Sequence, residues 1–417
     1  MSVEQIIDAL KPTDGGGDVS KALAALSSHG FPARKTERWK YTRSEPFATF
    51  AAASLASDSK SNTDADAILR DWKSETGAST VAVFVGGVFD DQRSDLPDGI
   101  AIQAIDVAPA IGSDSDAADA LVWLNTAAAN GRYQISAESV VEQTLHCGHL
   151  PSGENSLAQT RVHITIAPGA RLSLVDHVLD GGVSASMQTL ITTADIGREA
   201  QLDHVRLQHA AAAGLVYTRF DADIAAAAIC RTLTLDSGGS LVLNDLNLRL
   251  SAEGAEAHLN GIYLANDRQH IDNHTQVDHV SPNTISRENY RGILRDRSRS
   301  VFNGKVLVHE GADGTDSAQS NATLLLSDQA EIDTKPELEI YADDVKCAHG
   351  ATVGQLDQTS LFYLQSRGID KAMATQLLTY AFCREITSDI SDDEVRRLAD
   401  SAIAAEIPNF TALEAIA

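Results

Sequence analysis

Four cysteines in 417 residues, Cys147, Cys230, Cys347 and Cys383, lie far apart and form no CxxC pair. That excludes a disulfide framework and suits free thiols in a reducing compartment, so a cytoplasmic location is expected. Aromatic residues make up 5% of the chain, and its three tryptophans all precede residue 130, so the later region has few stacking platforms for sugars or bases. Basic residues are outnumbered 33 to 58, a formal charge of −25. Nucleic acid and anionic membrane surfaces are poor partners for such a field. No apolar run approaches the roughly 18 residues of a membrane span. The start, Met1-Ser-Val-Glu-Gln-Ile-Ile-Asp8, lacks the basic and apolar regions of a signal peptide. A phosphate-binding loop is missing too. Asn303-Gly-Lys-Val306 lacks both the upstream glycine and the hydroxyl residue after lysine, so any linked ATP hydrolysis must occur elsewhere.

What is present changes period twice. Residues 1–131 read as helices with acidic loops and a few short strands. Asp18 opens a helix closed by Gly30 and Pro32, Ala51 to Ala67 reads as a mobile connector, Val81-Ala-Val-Phe-Val85 as a strand, and Ala117 to Ala129 as a helix. Across residues 132–353 the period is two. Val162, Ile164 and Ile166 alternate with polar residues, as do Leu246, Leu248 and Leu250, then Leu324 and Leu326, then Leu338 and Ile340. Small turns such as Pro168-Gly-Ala and Glu253-Gly-Ala separate these runs. More than 200 residues of short strands fit a repeated supersecondary unit, so a mainly β fold built on a β-helix is expected, with a large multi-sheet domain as the alternative. Residues 354–417 return to helix. Asp370 caps one that runs through Arg384 with Met373, Leu377 and Ala381 on one face, and Ser391-Asp-Asp-Glu394 opens the next. These helices dock a partner or close the end of the coil.

Candidate chemistry sits at the end of the strand region, in Tyr341-Ala-Asp-Asp-Val-Lys-Cys-Ala-His-Gly350. In an extended segment Cys347 and His349 project from the same face. Thiolate and imidazole favour zinc, copper(I) or an iron–sulfur centre, yet two donors complete none of these. Either the pair is structural or another chain supplies the remaining ligands. Val345, Ala351 and Val353 share its parity, which suits a core face or a face buried against a partner. Three weaker clusters have ordinary explanations. His270, His274 and His279 with their carboxylates match a polar ladder better than a zinc site, His146-Cys147-Gly-His149 has no second cluster, and Asp343-Asp344 reads as a solvated turn.

Four segments together resemble the SufB/SufD family of iron–sulfur cluster assembly scaffolds: Arg34-Lys-Thr-Glu-Arg-Trp-Lys-Tyr-Thr42, the run Arg291 to Val308, Thr334 to Thr352, and Leu361-Phe-Tyr-Leu-Gln-Ser-Arg-Gly368. Gly350 stands where the SufB branch has Glu, so the chain resembles the SufD branch. The resemblance implies a right-handed parallel β-helix flanked by N- and C-terminal helical regions. It also implies a partner SufB paired through the β-helices and the ATPase SufC bound through the C-terminal helices. It implies that Cys347 and His349 help hold a nascent iron–sulfur cluster, or its iron, at the SufB–SufD interface, that SufD aids iron entry, and that the chain is not an enzyme alone. Without SufB, self-association as a homodimer is expected. The competing readings are a carbohydrate-active β-helix enzyme and a purely structural paralogue with Cys347 and His349 inert.

Overall fold

The computed structural model describes residues 3–10, 17–57, 64–107, 109, 119–390, 392–408 and 410. Short helices open the chain: α1 (Val3–Ala9), α2 (Gly17–His29), α3 (Glu45–Leu55) and α4 (Ala65–Thr76), with α5 (Ala120–Ala128) further on. The Asp64 carboxylate caps α4 by accepting from Ala67 N–H at 3.1 Å. Gly77, at φ 72°, ends it in the left-handed region that glycine tolerates. The supposed connector from Ala51 to Ala67 is therefore half wrong. Ala51–Leu55 completes α3 and Ala65–Ala67 starts α4, because alanine-rich sequence propagates a helix once its apolar side is buried; residues 58–63 lie outside the described residues.

Nineteen strands follow in chain order among the described residues. The first are β1 (Val81–Val85), β2 (Val88–Phe89), β3 (Ile100–Ala104), β4 (Tyr133–Ala137), β5 (Leu145–Leu150), β6 (Ser156–Ile166), β7 (Arg171–Leu179), β8 (Ser186–Ile196) and β9 (Gln201–Ala210). Then come β10 (Leu215–Ile224), β11 (Ile229–Gly238), β12 (Leu241–Leu250), β13 (Glu256–Ala265) and β14 (His270–His279). The last are β15 (Ile285–Leu294), β16 (Arg299–Val308), β17 (Asp316–Leu325), β18 (Glu331–Ile340) and β19 (Lys346–Gly354). From β4 on, each strand pairs in parallel with the strand two ahead, so odd and even strands form two facing sheets. Leu241 lies beside His270 and His270 beside Arg299, so each turn of the coil here takes 29 residues. The fold is the expected mainly β, parallel β-solenoid with helices at both termini.

A two-residue period combined with this register stacks like positions in columns along the bore. Ile166, Ile196, Ile224 and Leu250 form one such aliphatic column, which His279 interrupts before Val308 and Ile340 resume it. Both outer faces are covered as well. Phe47, Leu26, Trp39 and Leu121 of the N-terminal region pack on Ile191, Tyr217 and Leu243 of the even sheet. The C-terminal helices α6 (Gln358–Ser366), α7 (Lys371–Thr387) and α8 (Asp393–Glu406) follow the solenoid. Tyr380, Cys383, Ile386 and Ile403, from α7 and α8, pack on Leu233, Ile262 and Ile293 of the odd sheet. Asp370 caps α7 as expected, accepting from Met373 N–H at 2.9 Å. Its buried face differs from the expected one: Ala374, Tyr380, Cys383 and Ile386 are buried while Ala381 is exposed. The reason is that α7 lies along the flank of the coil, where the sheet selects the covered side. Asp392 caps α8, accepting from Glu394 and Val395 N–H; Ser391 lies outside the described residues.

Because α7 and α8 flank the coil, they do not close its end. Strand β18 pairs only with β16 and β19 only with β17, so among the described residues both leave a backbone edge unpaired. No described helix is long and apolar enough to cross a membrane.

Candidate functional site

The terminal turn is formed by β18 and β19. In β17 the inward positions Ser317, Gln319, Asn321 and Thr323 are all buried. In register above them lie Cys347, His349, Ala351 and Val353. The expected common face of Cys347 and His349 is thus the inward face of the last turn, which has no further turn above it. Cys347 is half-buried and packs with Leu338, Ala342 and Val345 over Val306, Val308 and Ala312. Burial pushes its thiol above the usual range and the Asp316 charge adds to this, against a backbone hydrogen bond with Ser317. His349 is exposed. The pair therefore presents a neutral thiol in an apolar seat beside an accessible imidazole. A thiol of this kind becomes a ligand only by losing its proton as metal binds.

Beneath the pair run two polar ladders that the sequence reading missed. Under Cys347, Ser286 Oγ donates to Ser317 Oγ at 2.8 Å, and His279 Nε2 meets Ser286 at 2.9 Å. Under His349, Gln319 Nε2 donates to Glu288 Oε2 at 2.7 Å and Thr275 Oγ1 donates to Glu288 Oε1 at 2.5 Å. Burial lifts the Glu288 carboxyl to about 7 against these two hydrogen bonds. The only signal in the sequence was parity, since Ser317 and Gln319 alternate with Ala318 and Ser320 as the core side of a strand would.

The other candidate clusters do not converge. His270 and His274 face outward, where His270 meets Thr42 Oγ1 at 2.7 Å and His274 Nε2 lies 3.0 Å from Asp272. His279 faces the bore and contacts Thr284 and Ser286. Cys147 packs in the bore, His146 turns outward to His177, and His149 turns inward to Asp176 at 2.8 Å. Asp343 and Asp344 occupy an exposed turn, with Asp343 N–H donating to the Asp313 carboxylate of the turn below. Asn303-Gly-Lys lies within β16. Among the described residues no group of three or more His, Cys, Asp or Glu is placed to hold a metal ion.

The Arg34–Thr42 segment has a structural explanation. Arg38 inserts its guanidinium against Asp245 of β12, and Thr42 hydrogen-bonds Asp272 of β14. Burial alone would raise Asp245, yet Arg38 and His274 hold it down at about 2. Glu37 reaches Lys335 of β18 at 2.8 Å, so the segment spans from the middle of the even sheet to its last strand.

On the terminal turn Ile340 and Tyr341, at the end of β18, and Val353, near the end of β19, are exposed, as are Phe362 and Tyr363 on α6.

Residues 149–382 match the model of the SUF system FeS cluster assembly SufBD core domain. Over 405 residues, 93% of this chain and 92% of the relative, the chain is 30% identical to the iron–sulfur cluster assembly protein SufD of Escherichia coli K12. It is 27% identical to a SufBD family protein of Synechocystis over 88% of this chain and 86% of that protein. With SufD of Bacillus subtilis the match is 29% over 40% of this chain and 38% of that protein. A solenoid carrying a soft donor pair on its terminal turn, matched through its core and along nearly its whole length, places this chain in the SufBD family of iron–sulfur cluster assembly proteins.

Proposed function

We propose that this chain is a scaffold subunit of the SUF assembly complex, pairing with SufB and binding the ATPase SufC. In this reading residues 1–131 brace the coil, 132–353 form the pairing surface and 354–417 dock SufC. Cys347 and His349 help hold a nascent cluster shared with SufB, with iron and sulfide as cargo rather than resident cofactors. The chain aids iron entry in the cytoplasm and does not itself catalyse a reaction.

One observation carries this reading: the donor pair stands on the terminal turn, whose strand edges are unpaired and whose inward side chains are uncovered among the described residues. Unpaired edges are templates for another strand, and long ones are ordinarily covered. A second solenoid seated there would continue both sheets, cover Ile340 and Val353, and shelter the pair from water. In the absence of SufB a second copy of this chain would occupy the same edge. The absence of a nucleotide loop in the sequence agrees with ATP hydrolysis by another subunit, and exposed Phe362 and Tyr363 offer that subunit an anchor.

Iron and acid-labile sulfide are to be measured anaerobically in the complex co-expressed with SufB and SufC, comparing wild type with His349→Ala. Loss of both with the complex still assembled is the expected result. Unchanged content would leave this chain a structural partner.

A further inference from the structure

One turn beneath the exposed pair, the bore holds a carboxylate with no cation beside it. Glu288 is 4% exposed, and its two oxygens accept only from Thr275 and Gln319. The other buried carboxylates among the described residues, Asp119, Asp176, Asp236, Asp245 and Asp272, each lie against an arginine or a histidine. An unpaired buried carboxylate is costly, so its persistence calls for an explanation.

Gln319 sits in register between Glu288 below and His349 above. Its amide crosses the bore over Gly304 of β16, where an added Cβ would collide with Nε2. Glycine at that position leaves room for the amide to reach Glu288, and a side chain there would force Gln319 or Phe302 to shift. In its ionised form Glu288 only accepts, and it then holds the NH2 end of the amide toward itself. The carbonyl end, Oε1, is left buried with no hydrogen-bond partner in the structure. Such an orphan costs about 1–3 kcal/mol. The next polar side chain in the same column is His349.

We propose that Glu288 is a positioning residue for His349: by taking the Gln319 Nε2–H it leaves the Gln319 carbonyl unpartnered one turn beneath His349, and that carbonyl takes the ring N–H of His349 when the exposed ring settles onto the terminal turn. The other ring nitrogen is then unprotonated and free to bind metal. Ligating histidines ordinarily give their second N–H to an acceptor of this kind, and loss of that acceptor weakens metal binding about 10–100-fold. The inference builds on His349 as a cluster donor, but its test needs no cluster.

The test is the tautomer of His349 in the metal-free full-length chain, read from long-range proton–nitrogen spectra of histidine-labelled protein at alkaline pH. His349 is identified by the signals lost in His349→Gln. Wild type is expected to show one neutral tautomer. Glu288→Gln, which keeps the shape but lets the amide turn either way, and Gln319→Leu, which removes the acceptor, should each give averaged signals. The exchange Glu288→Gln with Gln319→Glu restores an acceptor beneath His349 and should restore the single tautomer, a rescue that a packing role would not produce. Averaged signals in wild type, or a single tautomer that survives Gln319→Leu, would overturn the proposal. If the tautomer behaves as expected while His349→Ala leaves cluster content unchanged, the positioning stands and the donor reading of His349 falls.

Discussion

His146 Nδ1 and His177 Nε2 lie 3.0 Å apart on the outer face of the odd sheet, one ring donating to the other. Trp72 of α4 packs edge-on against His177, and Thr144 Oγ1 nearby donates to Asp392, the cap of α8. The pair therefore sits where the N-terminal helices, the first turns of the coil and the C-terminal helices meet.

An acid-sensitive joint is the first expectation. Burial pushes His146 down to about 4 against the pull of Asp392. Burial, then the charges of His146 and His149, push His177 down to about 3 against Asp176. Both folded-state values lie below the ordinary 6.5, so the native state refuses protons that the unfolded chain accepts. Their contribution to stability is fully present above about pH 6.5 and declines as the pH falls toward 4, by up to about 1.4 kcal/mol per pH unit per histidine. Urea midpoints at pH 7 and pH 5 should converge in His146→Gln with His177→Gln, relative to wild type. An unchanged gap between the two midpoints would mean that other groups set the acid limit.

Removing one member of the charge pair in the bore should cost more than removing both. Arg206 Nη2 donates to both Asp236 oxygens, at 2.8 and 2.9 Å, and Nη1 donates to Asn244 at 2.7 Å. Arg206→Met leaves Asp236 buried without its cation and should destabilise the chain by about 3–5 kcal/mol. Arg206→Met with Asp236→Leu should recover much of this in denaturant melts. A double variant no better than the single would show that Arg206 acts through packing and Asn244.

Thiol titration should find one reactive cysteine in the folded chain. Cys147, Cys230 and Cys383 are buried, while Cys347 is half-buried. Burial raises Cys383 to about 12, against the Arg291 charge. A chromogenic disulfide should label one thiol per chain, faster at alkaline pH, and none in Cys347→Ser until the protein is unfolded. In the complete complex, nucleotide should change the rate at Cys347 if ATP-driven motion opens the terminal turn. An equal rate with and without nucleotide would eliminate that gating.

The proposed docking of SufC on α6 can be tested apart from the terminal turn. Phe362 and Tyr363 are 72% and 56% exposed, so polar replacements there should cost less than about 0.5 kcal/mol of stability. Phe362→Ser with Tyr363→Ser should abolish co-purification with SufC while leaving SufB bound. Retention of SufC would move its docking site to α7 and α8.

How much of this was legible in the sequence depends on the residue. The alternation of Leu246, Leu248 and Leu250 marked a strand, and all three line the bore. Leu324 and Leu326 show the same alternation, yet they face outward and pack beneath the C-terminal helices. With both faces of each sheet covered, hydrophobicity alone does not tell bore from flank. The common face of Cys347 and His349 followed from the two-residue period. Glu288 and Gln319 could not be placed beneath His349, because their stacking depends on the lengths of two intervening turns, which pattern does not encode. Arg38 belonged to a quoted motif, but its partner Asp245 lies on a strand more than 200 residues away.

Local chemistry, written into the chain, determined the two-residue period of the strand region, the cap at Asp370, the acidic charge and the soft donor pair, since propensity, capping and side-chain parity act over a few residues. Tertiary structure alone decided that the C-terminal helices lie along the flank and leave the last turn open. It also placed an unpaired carboxylate under His349 and brought Arg38 to Asp245. These outcomes depend on the register summed over successive coils, and one residue more or less in any turn would have put different side chains in each column.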